Sequence, residues 1–322
     1  MPAFDALICL KEADTAILPH ALESIWTYAK PSAIHIIASQ STIAQIQNLT
    51  HTYQLHCIDE DTLYEGLNLQ CIQTILKQRI NDTKRAGWYL QQFLKMAYAS
   101  YKLNGGGGRH IQNLHTATHY LIWDCDTILL KDVAFFDAHD NVLLEKQSEY
   151  HKPYFTTLER LQIPISEREI VHRAVDFSFI AEHMMIDSHL MHELITLIES
   201  THHKPFWQAI LDCVCDEDLG GSGFSEFETY GNFIACKYPH TLATITRKRD
   251  RSARQILGDT PTKEQLSWYS KYYDVCSIES WDTPTRLARW SAKYALLRCL
   301  PPKILKKLYW KLKRVRDALE LA

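Results

Sequence analysis

The chain has 322 residues, 46% of them hydrophobic and 11% aromatic, and a formal net charge of −3. It is long enough to bury one large core or two modest ones, and its charge favours neither nucleic acid nor an acidic surface as a global partner. The average hides an asymmetry: residues 281–322 carry 11 Lys and Arg against 3 Asp and Glu, which leaves 24 against 35 for residues 1–280.

The nine cysteines are scattered, with only Cys213 and Cys215 close together, and no spacing matches a zinc site or a small disulfide framework. They read as reduced, mostly buried thiols of a cytosolic protein. The apolar start is interrupted by Asp5, Lys11 and Glu12, so no signal peptide is expected. No run approaches the ~20 apolar residues that span a bilayer, and any membrane contact is expected to be peripheral.

In chain order, Phe4 to Leu10 is a strand-like run, His20 to Tyr28 has helical apolar spacing, and residues 33–39 read as a second strand. A helix-like stretch over 41–48 and a strand over Gln54 to Ile58 continue this β-α-β opening. Alternation of this kind argues for an α/β fold with a mostly parallel sheet flanked by helices. Arg85 to Tyr101 reads as a helix with Leu90, Phe93, Leu94 and Ala97 inward and Gln91, Gln92 and Lys95 on a solvated face. Asn104 to Arg109 contains four consecutive glycines. It follows a helix and precedes a strand, the reverse of a phosphate-cradling loop, and reads as a flexible connection.

Tyr120 to Leu130, YLIWDCDTILL, is an apolar run that delivers Asp124 and Asp126. On an extended backbone, side chains two apart leave the same face, so the carboxylates converge. Such oxygens suit Mg²⁺ or Mn²⁺, which complete their shells with substrate phosphate oxygens and water. The carboxyl end of a strand is where α/β sheets bind ligands, so the pair points to chemistry on a phosphorylated substrate. The preceding helix would then bring Arg85 or Lys95 near a diphosphate.

Residues 131–176 lack a regular pattern and include EYHKPYF at 149–155, either an acceptor-shaping loop or ordinary surface. Phe177 to Ile186 reads as a strand interrupted by Glu182 and His183, and His183 is either a satisfied core histidine or a group at the ligand. Ser188 to Glu199 reads as a helix. In LGGSGFSEFETYGNF, residues 219–233, Ser225 and Glu228 have the capping-box spacing that starts a helix. Glu228 thus has a local role available; Glu226 has none and suits a general base or an acceptor of sugar hydroxyl hydrogen bonds. One or two of Arg247, Lys248, Arg249, Arg251 and Arg254 would fold over a diphosphate.

Pro301 and Pro302 introduce a helix with Leu305, Leu308, Leu312, Val315 and Leu319 in one narrow stripe. Lys303, Lys306, Lys307, Lys311, Lys313, Arg314 and Arg316 fill much of the remainder. At up to ~1 kcal/mol per basic residue near an anionic leaflet, they would hold the protein reversibly on the inner face of the cytoplasmic membrane. A helix packed on the body and a two-helix seam are the alternatives.

YLIWDCDTILL resembles the metal-binding DxD strand of GT-A-type, nucleotide-sugar-dependent glycosyltransferases. RAGWYLQQFLKM, SFIAEHMMI and SGFSEFETYGNF are similar, in order and spacing, to segments of a bacterial group of cell-envelope glycosyltransferases, over roughly residues 4–245. The resemblance implies a GT-A-like (Rossmann-like) domain over 1–257 and a basic helical extension over 258–322. It implies a hexosyltransferase of lipopolysaccharide or capsule assembly, with Mn²⁺ or Mg²⁺ as cofactor, a UDP-sugar donor and a glycan or glycolipid acceptor. Position by position, Asp126 would coordinate the metal and Asp124 the metal or the donor's ribose and sugar. Lys11 and Asp14 would border the base, with Arg85, Lys95 and His183 also at the donor. Glu226 and Glu228 would face the transferred sugar or acceptor, and His240 would be a third metal ligand.

Two rival readings stand beside this one. A phosphatase of the haloacid-dehalogenase type also ends a strand in Asp-x-Asp, but normally has Thr or Val where this chain has Ile128, and Lys263 replaces the acid expected after Gly258-Asp259. A non-catalytic carbohydrate-binding or scaffold protein on the membrane surface would keep the fold and tail without needing the acids.

Overall fold

Ten strands form among the residues that the computed structural model describes, 2–105 and 117–320: β1 (Phe4–Cys9), β2 (Ile34–Ala38), β3 (Leu55–Asp59), β4 (His119–Trp123), β5 (Thr127–Leu129), β6 (Leu143–Glu145), β7 (His183–Asp187), β8 (Ala243–Ile245), β9 (Arg249–Asp250) and β10 (Val275–Ser277). The central sheet has the order β3-β2-β1-β4-β7. Its first four strands are parallel and only β7 runs against them. β1 and β2 are buried along their whole length, as near-continuous apolar runs in a covered parallel sheet must be. Together with the flanking helices and the C-terminal helix, this is the mixed α/β class expected from the sequence. The winding reverses between β1 and β4, and the crevice outside the carboxyl ends of those strands is the switch point where such sheets bind ligands.

Strand alternation decides what faces that crevice. Asp5, Leu7 and Cys9 of β1, His35 and Ile37 of β2 and Tyr120 and Ile122 of β4 share one face, across which lies the helix Ala86–Leu103. Tyr98 of this helix meets the rings of His35 and Tyr120 at 5.4 and 5.0 Å, and Lys102 forms an ion pair with Asp5. On the opposite face, Phe4 packs on Phe135 and Phe136. The solvated face expected for this helix is corrected. Gln92, Lys95 and Lys102 are buried, because the helices Leu69–Ile80, Ser188–His202 and Glu226–Lys237 close around it.

The residues divide into two compact units. The first comprises 1–12, 31–124 and 134–246 and holds the five-stranded sheet, the β6-β8 pair and the helices just named. The second comprises 13–30, 125–133 and 247–322, so the segment expected as a contiguous extension from 258 shares its unit with two earlier stretches. It holds the sheet β5-β10-β9, the short helix Leu18–Ser24 and the helices Lys263–Tyr269, Arg286–Lys293 and Pro302–Glu320.

Several local expectations change. Helices occupy Leu69–Ile80, capped by Asn68, and Phe206–Cys213, neither anticipated from the sequence. The supposedly irregular 131–176 contains β6 and the helix Lys152–Arg160. The strand expected from Phe177 begins only at His183. The stripe of the last helix is also divided: Leu305 is buried and Lys306 bonds Ser252, whereas Leu308, Leu312 and Val315 are exposed. The side chains of Arg316 and Leu319, and the glycine run from Gly106 on, lie outside the described residues.

Candidate active site

β4 ends at Trp123, and Asp124 continues its alternation, on the same face as Tyr120 and Ile122 and therefore toward the Ala86–Leu103 helix. From that helix Lys95 donates to Asp124 Oδ1 at 2.9 Å, and its Nζ lies 3.1 Å from Glu226 Oε1. The Phe227 ring centroid is 5.1 Å away. Lys95 is 3% exposed and Glu226 2%, whereas the Asp124 side chain keeps 31%. Asp124 N donates to Glu182 O at 2.9 Å, which extends the β4-β7 pairing by one step and fixes the aspartate backbone.

Glu226 reaches this point because it opens the helix Glu226–Lys237. Ser225 caps that helix by accepting from Glu228 N at 3.2 Å, and Gln92 Oε1 accepts from Glu226 N. The capping-box spacing thus marks the true helix start. The reciprocal bond expected of Glu228 is not formed. Glu228 Oε1 instead accepts from Ser178 Oγ at 2.5 Å and Phe179 N at 3.2 Å, and Oε2 from Asn232 Nδ2. Glu228 therefore binds the 178–179 segment to the helix, and its oxygens are engaged there.

Charge is concentrated in this volume. Burial alone would pull Lys95 down, but Asp124 and Glu226 outweigh it and hold the ammonium above its ordinary range. Burial pushes Glu226 up, opposed by Lys95 and reinforced by Asp124. Cys9, at the end of the adjacent β1, is pushed up to about 12, chiefly by burial. The chain thus presents a neutral thiol, a fixed ammonium and two carboxylates of unlike exposure at the carboxyl edge of β1 and β4.

The other expected residues are placed differently. Arg85 does not face this cluster: its guanidinium stacks on Trp88 and bonds Gly221 O and Ser222 Oγ, pinning the loop before the Glu226 helix. Lys11 is exposed, two residues beyond β1. His183 is a buried core histidine stacked on Trp123, with Glu145 3.7 Å from its Nε2. The extended backbone expected through Asp126 is corrected, because the chain turns at Cys125 and Asp126. Asp126 and Asp14 belong to the second unit, where Asp126 O accepts from Ile278 N and Asp14 O from the Cys125 thiol. His240 is exposed in a short turn, and its neighbour Thr241 lines a cavity with His119, at the opposite end of β4 from Asp124. It is not brought together with the aspartate.

Among the described residues no group of three or more His, Cys, Asp or Glu side chains could hold a metal ion. Of the expected ligands in the first unit, only Asp124 lies at the crevice, with one oxygen on Lys95. Sequence reasoning missed Cys9, Gln92, Ser178 and Asn232; the apolar end of β1 and the buried run around Gln92 carried the only signal.

No family model matches the chain, and no curated protein matches it. Solved structures do. Mouse xyloside xylosyltransferase 1 aligns at 10% identity over 88% of this chain and 99% of that one, with a TM-score of 0.43. The galactosyltransferase LgtC, solved with donor and acceptor sugar analogs, aligns at 10% identity over 85% and 86%, with a TM-score of 0.38. The glycosyltransferase GlyE of Streptococcus pneumoniae aligns at 11% identity over 97% of this chain and 64% of that one, with a TM-score of 0.39.

Proposed function

We propose that the chain is a glycosyltransferase that moves a sugar from a nucleoside-diphosphate donor, a UDP-sugar, to a hydroxyl of a cell-envelope glycan or glycolipid. The observation that carries this reading is the Lys95 bridge between Asp124 and Glu226 at the switch point of the sheet. Transfer forms a bond from the acceptor oxygen to the anomeric carbon and breaks the one from that carbon to the phosphate oxygen, whose electron pair leaves with the diphosphate. Glu226, made more basic by burial, takes the hydroxyl proton. Lys95 keeps both carboxylates oriented and offsets their charge.

A Mg²⁺ or Mn²⁺ belongs to the proposal. It would be held by the exposed side of the Asp124 carboxylate, and Mg²⁺ characteristically takes the rest of its shell from substrate phosphates and water. Bound there, it would neutralise charge on the departing diphosphate. One half-exposed carboxylate fits this mode and does not fit a closed protein cage.

Thermal denaturation with UDP, GDP, CDP and UDP-sugars, each with Mn²⁺ or with EDTA, tests the reading. A metal-dependent rise for one nucleotide, abolished by Asp124→Ala, is expected. No shift at concentrations far above a plausible Kd favours the scaffold reading.

We place the protein at an anionic membrane surface. No helix of the described residues is long and apolar enough to cross a membrane. In the second unit, Leu296 is 81% and Leu312 70% exposed, with Trp290, Ile304 and Leu308 also exposed among the basic residues of 286–314. Exposed Trp and Leu amid Lys and Arg suit an interfacial layer. Flotation with phosphatidylglycerol vesicles but not with phosphatidylcholine, lost in Leu296→Ser/Leu312→Ser, is the expected result; equal flotation with both refutes it.

A further inference from the structure

The segment 149–155 and Arg173 have no part in the chemistry above, yet they build an ordered surface in the first unit. Tyr150 is 58% exposed, and its ring lies parallel to that of buried Phe155, 5.2 Å between centroids and 10° between planes. The Arg173 guanidinium stands 4.8 Å from the Tyr150 ring and 4.9 Å from that of Phe155, and it makes no ion pair among the described residues. An exposed ring backed in this way has lost its rotamer freedom before any ligand arrives, which lowers the cost of binding. Its electron-rich face attracts the electropositive C–H face of a pyranose. The guanidinium presents a fork of donors that matches a carboxylate or phosphate.

This surface is fastened to the reacting groups. His151, the next residue, meets Ser222 O through Nε2 at 2.7 Å, and its ring lies 4.5 Å from that of Tyr154. Three residues after Ser222, Ser225 caps the helix that begins with Glu226. The charge of Arg173 also reaches Glu228, whose carboxyl it lowers against the larger effect of burial.

We propose that Tyr150 and Arg173 form an acceptor subsite for an anionic sugar, with the pyranose stacked on Tyr150 and its carboxylate or phosphate on Arg173. The assignment to the acceptor rests on the glycosyltransferase reading. Saturation-transfer NMR on the full chain, with methyl β-D-glucuronide, glucose 6-phosphate or methyl β-D-glucoside at millimolar concentration, tests it without donor or turnover. Wild type should transfer saturation to the C–H protons of one sugar face and favour a charged sugar; the glucuronide and phosphate arms identify which anion is read. Tyr150→Ala should weaken binding by about tenfold and Tyr150→Phe should retain it, while Arg173→Ala should reduce the charged sugars to the level of the glucoside. Absence of transfer from all three sugars, or transfer indifferent to Tyr150→Ala or to Arg173→Ala, overturns the subsite. Because no nucleotide is present, that failure leaves the donor-binding result standing, and loss of nucleotide binding alone would leave the sugar result standing.

Discussion

Lys95→Met removes one ammonium from the cluster while keeping much of the apolar stem. Asp124 and Glu226, held 2.9 and 3.1 Å from Nζ, then face each other without a cation, and Glu226 is almost wholly withdrawn from water. Breaking a buried ion pair by deleting one partner costs about 3–5 kcal/mol. Glu226, already pushed up by burial, escapes part of this by taking a proton, so the lower end applies, about 3 kcal/mol. For a chain of this size that corresponds to a fall in Tm of about 4–5 °C. The decisive assay is a double-mutant cycle by urea or thermal denaturation. Glu226→Gln should cost little in the Lys95→Met background, giving a coupling of about 2–3 kcal/mol. Additivity within about 0.5 kcal/mol would refute the bridge.

Other outcomes are expected from the same geometry. Because folding raises Lys95 above its ordinary value of 10.5, its contribution is whole below that pH and is lost as pH rises through the higher folded value; the stability gap between wild type and Lys95→Met should stay level from neutral pH to 10.5 and narrow beyond it, and a gap that widens there contradicts the assignment. Glu226 is likewise raised from 4.5, so transfer should fall as pH drops through a value above 4.5; an acid limb that survives Glu226→Gln would remove Glu226 as the base. Ser178→Ala should destabilise by about 1–3 kcal/mol by leaving Glu228 short of a donor, while the nucleotide-induced shift in Tm persists. A Cβ at Gly231 would stand 2.3 Å from Phe179 Cγ, so Gly231→Ala should lower stability by about 1–3 kcal/mol, and an unchanged Tm would show that the ring moves freely.

The sequence made the opening strands legible because β1 and β2 are apolar runs bounded by polar residues, and Ser225 with Glu228 located a helix start to the residue. Asp124 was legible for the same reason, since a charge at the end of an apolar strand is conspicuous. Lys95 was less so. Its burial depends on Ser188–His202 and Glu226–Lys237, helices far along the chain, closing with Leu69–Ile80 around its own, and helical periodicity alone places a lysine outside. Spacing also misled at Asp126, where the pattern implies extended backbone and the chain turns. The helix Leu69–Ile80 was hidden by a mixed polar surface with only Ile72 and Leu76 buried.

The chain passes between its two compact units five times, after Glu12, Lys30, Asp124, Val133 and Thr246. During synthesis, residues 13–30 and 125–133 therefore leave the ribosome long before the stretch that completes their unit. Thr127 of β5 must wait for Ser277 of β10. Large proteins expose unpaired strand edges in such intervals, and a fragment ending at Thr246 would carry that exposure permanently. Neither unit is a cassette that a gene could lose or lend by a single cut.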